Sequence, residues 1–347
     1  MTFHESARTI AGQLQRGLGR GARAVRDPAL VEACLRRQYA WDWQVDSRDV
    51  YLARLVRDLG LPVQPILARL YAEEPEFTVS LGVLACLEAA GIEEVVAGVR
   101  DYIERGRRGP EVLEHIDREP PAPRSAPPPP HLAWSNGELL AVLRAPAPRS
   151  LHRSVLRELA RRPGEPELLD VLNTMDTAGL GGAIVRAVAQ LGSVAVPAAR
   201  RWAAAEGPLR QAAVSILAAH GDEADVPVLL AEVVRLDSTP DQLCGYDELV
   251  TGLARIGGPV AAILRRLWLT PHSYERASYL RAYRIADPAV AESLLVEGLW
   301  DCEEGVRRVA AEHVALDAET RERLGYLRDD PMEDAGVRGA AAARLES

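Results

Sequence analysis

Lysine is absent from this chain. All 41 basic residues among its 347 are arginine, and 50 Asp and Glu outnumber them to give a net charge of −9. A composition rich in Ala, Arg, Gly and Pro and free of Lys suggests a GC-rich, bacterial genome. Chemically, arginine brings a planar fork that pairs bidentately with carboxylates. The acidic balance holds along the sequence, with 24 Arg against 31 acids over 131–347 and 16 against 19 over 1–119. That balance argues against wrapping a nucleic acid backbone.

Aromatics are scarce at 5%, and only two residues are Phe, so a core must be built from Ala, Leu and Val. The hydrophobic fraction of 48% excludes global disorder. No apolar run approaches the ~18–20 residues that a membrane span needs. The opening MTFHESARTIAG has no charged leader followed by an apolar block, so a cytoplasmic protein without a signal peptide is expected. The four cysteines, Cys34, Cys86, Cys244 and Cys302, form no C-x-x-C and stand at no metal-ligand spacing with His. The seven His give no H-E-x-x-H helix, and no G-x-S-x-G elbow occurs. GLGRG at 17–21 lacks the G-K-[ST] of a phosphate loop. No metal and no cofactor is expected.

What is present is helical periodicity. Seven of the 24 prolines fall between Pro120 and Pro130. Residues 119–130 therefore read as an extended linker, or as a ligand for proline-recognising domains. The stretch separates an N-terminal helical domain over 1–118 from a C-terminal part over 131–347. In the latter, amphipathic units begin near 151, 182, 207, 246, 274, 304 and 334. Each carries apolar residues at i, i+3, i+4 and i+7, then a break with Gly, Pro or Asp, then a second apolar run. Val185, Val188, Ala189 and Leu191 share one stripe. Paired helices at this period predict stacked helical hairpins, and no sheet is expected. The N-terminal part predicts helices at about 5–18, 28–38, 47–59, 63–72, 77–90, 92–106 and 109–117, as divergent repeats or a cap domain.

Leu209-Arg210, Ala213, Leu217, Gly221-Asp222 and Val226-Pro227 form a pattern that resembles HEAT repeats. VRRVAAEHV and VRGAAAARL look like second helices of the same repeat. The resemblance implies an all-α fold, an α-α superhelix of stacked hairpins over about 150–347, and binding of a protein partner. It identifies no site.

Two clusters carry the residue types of binding sites. The first, RRQYAWDWQVDSRDVYLARL at 36–55, holds Arg36, Arg37, Trp41, Asp42, Trp43, Arg48 and Tyr51. Trp, Tyr and Arg combine contact area with a polar handle. The same alternation of Arg and Asp also describes an ion-pair network bracing a loop. The second cluster is HSYERASYLRAYR at 272–284. There Arg276, Tyr279 and Tyr283 share a helical face, and Arg281 lies on another. Some HEAT-like solenoids are alkylpurine DNA glycosylases, which hold a damaged nucleotide with Trp and a carboxylate on a basic surface. Trp41, Asp42 and Trp43 supply those types. Neighbours on one helix point about 100° apart, however, and the charge has the wrong sign, so no catalytic role is carried over. The leading expectation is a non-catalytic scaffold that binds a protein partner on a HEAT-like concave surface, with a small-ligand or DNA-modifying enzyme using a Trp/Asp/Arg pocket as the alternative.

Overall fold

The computed structural model describes residues 4–36, 48–74, 76–116, 133–205, 207–239 and 244–347. Among them every regular element is helical and no strand occurs. The fold is all-α, and most helices pack against neighbours in the chain. The helices are α1 (Ile10–Gln15), α2 (Gly19–Ala24), α3 (Pro28–Leu35), α4 (Asp49–Asp58), α5 (Gln64–Ala68), α6 (Glu76–Ala89), α7 (Glu93–Arg105) and α8 (Gly109–Ile116). There follow α9 (Asn136–Arg144), α10 (Arg149–Leu159), α11 (Glu167–Thr174), α12 (Gly181–Ala189), α13 (Val196–Ala204), α14 (Arg210–His220), α15 (Val226–Asp237) and α16 (Asp247–Arg255). The last are α17 (Ala261–Leu267), α18 (Arg276–Ala286), α19 (Pro288–Gly298), α20 (Glu304–His313), α21 (Ala318–Asp329) and α22 (Ala335–Glu346).

The chain folds as two compact units. Unit 1 comprises Met1–Ala122 together with Ile263–Ser347, and unit 2 comprises Pro123–Ala262. This differs from a simple division at the proline-rich stretch, because 263–347 joins 1–122. The linker residues 119–130 lie outside the described residues.

In unit 2 the first helices of successive hairpins form a row, with α10 on α12, α12 on α14 and α14 on α16. The HEAT-like residues have local causes. Gly221 ends α14, and its N–H returns to Leu217 O. The Asp222 carboxylate accepts from Ala224 N and starts a short 3-10 turn. Pro227 then opens α15, where a missing N–H costs nothing. Arg200 ties the turn together, with Nε 2.8 Å from Asp225 and Nη2 2.8 Å from Asp222. Gly252 lets α16 lie directly on α14, since a Cβ there would sit 2.6 Å from Ala218 Cα.

In unit 1 the row is α18, α20 and α22. VRRVAAEHV begins within α20 and VRGAAAARL lies in α22, so both fragments belong to this row, with α20 between α18 and α22. Capping fixes the starts. Asp287 accepts from Val290 N ahead of Pro288, and Asp334 accepts from Gly336 N and Val337 N. The N-terminal helices enclose one apolar cluster that includes Leu14, Leu35, Leu52, Phe77, Leu84, Val95 and Cys302.

One unit 1 helix was not expected. The residues of α2, GRGARA, have poor helix propensity. Packing overrides it: a Cβ on Gly19 would lie 1.9 Å from Glu297 O, so only glycine fits against the end of α19. Gly17 makes the preceding turn at φ +64°, beside Cys302.

Candidate functional site

Arg48 and Tyr51 of the first cluster and Arg276 of the second converge in unit 1 on the turn between α1 and α2. The last carbonyls of α1 and its turn have no partners within the helix. Arg48 Nη1 donates to Gln15 O at 2.7 Å and Arg276 Nη2 to Arg16 O at 2.8 Å, while Tyr51 Oη donates at 3.1 Å to Leu18 O, the N-cap carbonyl of α2, which also accepts from Gly21 N. Cys302 N donates to Gly17 O at 3.0 Å. Guanidinium charge at a helix C-terminus also suits its negative dipole end. Arg48 reaches Pro271 O as well, at 2.7 Å, and Arg276 is paired with Asp301 at 2.8 Å.

Arg48, Tyr51, Arg276, Tyr279 and Tyr283 are all buried. Tyr279 donates to Glu275 at 2.8 Å, and Tyr283 packs edge-on against Trp268. The shared face of Arg276, Tyr279 and Tyr283 is therefore an inward face, and these side chains are not presented on a surface. Arg36 is exposed and lies 3.6 Å from Glu32, and Arg281 is exposed. Arg37, Trp41, Asp42 and Trp43 lie outside the described residues.

A buried ion-pair network lies further along α4. Arg54 Nε donates to Asp330 at 2.6 Å, and its Nη2 lies 2.8 Å from Glu333. Glu333 also takes both arms of Arg307 at 2.8 Å, and Asp330 accepts from Arg57 at 2.8 Å. Burial by itself would raise the Asp330 carboxyl, but the Arg57 hydrogen bond and Arg54 hold it below the usual carboxylate range. A folded pKa below the unfolded value of ~3.9 stabilises the fold above that value, and the gain is lost as pH falls through the folded pKa. Stability in urea should therefore hold from pH 7 down to about 5 and fall below about 4. Asp330→Asn should flatten part of that acid limb, as read by denaturation midpoints across pH.

Beside this network, unit 1 opens a cleft of about 550 Å³. One wall is apolar, with Ala22, Val25, Leu55 and Leu59; the other carries Trp300, Arg323 and Tyr326. Arg23 closes the rim through a two-armed ion pair with Glu319, at 2.6 Å on each arm. Arg323 is 8% exposed. Its Nε donates to Leu299 O at 3.2 Å, beyond the end of α19. Its guanidinium carbon lies 4.1 Å from the centre of the Tyr326 ring and 4.8 Å from that of Trp300. Burial pulls its pKa down to about 10, which leaves it charged at neutral pH. The same burial pushes the Tyr326 hydroxyl up to about 12. That hydroxyl accepts from Arg57 and bonds Asp58 at 2.8 Å.

Tyr51, within the first sequence cluster, and Arg54 line this cleft. Trp300, Arg323 and Tyr326 were not singled out from sequence. Arg323 and Tyr326 do stand at i, i+3 and so share a face of α21, but no local pattern brings them to residues 22–26 and 51–59.

Unit 2 carries three adjoining clefts where one hairpin passes to the next. They measure about 380, 280 and 540 Å³. The first and second share Met175, and the second and third share Gly207 and Pro208. Asn173 in the middle cleft holds the Trp202 indole N–H at 2.7 Å.

Among the described residues no group of His, Cys, Asp and Glu is placed to hold a metal, and no helix is long and apolar enough to cross a membrane. No family model matches the chain, and no curated protein or solved structure matches it.

Proposed function

We propose that this chain is a non-catalytic protein-binding scaffold, built of HEAT-like repeats and acting in the cytoplasm, whose unit 2 receives an extended polypeptide. The observation that carries the reading is the line of three clefts along the inter-hairpin loops, continuous through Met175 and Gly207–Pro208. A repeated fold offers equivalent recesses at each hairpin, and a chain without its own globular shape can lie across several of them. Both signs of charge border the line, with Arg149 paired to Asp176 at one end and Arg210 to Glu232 at 3.0 Å at the other. Mixed charge of this kind suits a polypeptide better than a nucleic acid backbone.

The test is to pan a displayed library of unstructured peptides against the full chain and measure the selected peptides on a Met175→Arg, Pro208→Arg variant. Pro208 is exposed and Met175 half-buried, so the fold should tolerate both changes. The expected result is a loss of at least about tenfold in affinity, or ~1.4 kcal/mol, with the melting temperature unchanged. Equal binding by the variant, or no peptide selected at all, would overturn the proposal.

A further inference from the structure

We propose that the unit 1 cleft is a binding site for a small organic carboxylate with an apolar body, held by Arg323. This site is independent of the polypeptide-binding reading of unit 2.

Arg323 differs from the other strongly buried arginines of unit 1. Arg54, Arg276 and Arg307 each pair with a carboxylate, and Arg48 spends both Nη arms on the carbonyls of Gln15 and Pro271. No carboxylate among the described residues pairs with Arg323, whose hydrogen bonds there go to Leu299 O and to the Tyr326 side chain. A charged group removed from water is strongly unfavourable unless compensated. Two aromatic faces compensate it in part. The remaining capacity is the fork itself, the edge that fits the two oxygens of a carboxylate. Because Nε is already fixed on Leu299 O and the guanidinium lies against two rings, little side-chain freedom is left to lose on binding.

The rest of the cleft decides the class of ligand. The wall formed by Ala22, Val25, Leu55 and Leu59 can cover a hydrocarbon or aryl group, and the volume of about 550 Å³ is within the range of small-molecule sites. Asp58, Glu319 and Glu322 also line it. Arg23, Arg26 and Arg54 line it too, so the cleft carries both signs of charge, and what selects the ligand is the pairing of the Arg323 fork with the apolar wall, which fits a monoanion carrying a hydrocarbon body.

The test is calorimetry on the full chain with 4-phenylbutanoate and, separately, with 4-phenylbutanamide, which has the same body without the charge. Inorganic phosphate is titrated as a third probe. The proposal expects the acid to bind at least about tenfold more tightly than the amide, and Arg323→Gln to remove that preference while leaving weak binding of both. It is overturned if acid and amide bind alike, if phosphate binds in place of the acid, if the acid does not bind, or if Arg323→Gln keeps the preference. The acid–amide comparison needs no variant, so it decides the matter even if Arg323→Gln does not fold. A negative result here leaves the peptide experiment on unit 2 untouched.

Discussion

Glu333→Gln should destabilise unit 1 by about 3–5 kcal/mol, the range found when one partner of a buried ion pair is removed. The Glu333 side chain is fully buried, and both its oxygens are committed to guanidinium groups, two arms of Arg307 and one of Arg54. An amide keeps the shape but removes the charge, and its NH₂ would face a donor. Arg307 is then left with one amide oxygen and the carbonyls of Asp301 and Cys302 at 2.8 and 2.6 Å, none of which neutralises it. Urea denaturation of the single variant measures the loss. The Glu333→Gln, Arg307→Met double variant should cost less than the sum of its parts, because neither charge remains stranded. Strict additivity would mean that the pair is not coupled, contrary to its geometry.

Gly252→Ala should also destabilise, by about 1–3 kcal/mol, although alanine is the better helix former. The new Cβ would lie 2.6 Å from Ala218 Cα and 2.7 Å from Ala218 O. Both are backbone atoms, so α14 and α16 must move apart. Arg255, which holds Ala218 O at 3.1 Å and Gly221 O at 2.8 Å, would be pulled from the end of α14. The control is Gly339→Ala in α22, where nothing lies within 4 Å of the added carbon. It should stabilise by about 0.5–1 kcal/mol. Thermal melts that gave the two changes the same sign would contradict the close helix contact.

The repeated helices could be read from the sequence because their causes are local. Units expected near 274, 304 and 334 begin their helices at Arg276, Glu304 and Ala335, each set by an apolar stripe and a break. The break residues Gly221, Asp222 and Pro227 act within a few positions of themselves. In contrast, α2 depends on Gly19 meeting Glu297, and nothing near Gly19 announces that contact. Periodicity placed Arg276 and Tyr279 on one face without saying what would cover it. Arg16 O and Gly17 O meet Arg276 there, Tyr279 bonds Glu275, and of the residues read as binding groups Arg48 and Arg276 cap the end of α1. The cleft was hidden for the same reason, since Leu55, Trp300 and Arg323 come from three distant stretches. Even the exclusive use of arginine gained a physical meaning only in the structure: Arg48, Arg255, Arg276 and Arg344 all use the fork to hold carbonyls at helix ends.

The discontinuous make-up of unit 1 has a consequence during synthesis. Unit 2 is one unbroken stretch whose neighbouring helices touch, so it can fold as soon as it leaves the ribosome. Unit 1 cannot. Arg54 and Asp330 are 276 positions apart, and the carbonyls at 15–18 wait for Arg276 and Cys302. Until 263–347 emerges these polar contacts are unmade, although the apolar cluster of the N-terminal helices draws all its buried members but Cys302 from residues 14–112. The N-terminal helices of unit 1 thus complete their buried polar network only when the last stretch of the same unit has been made.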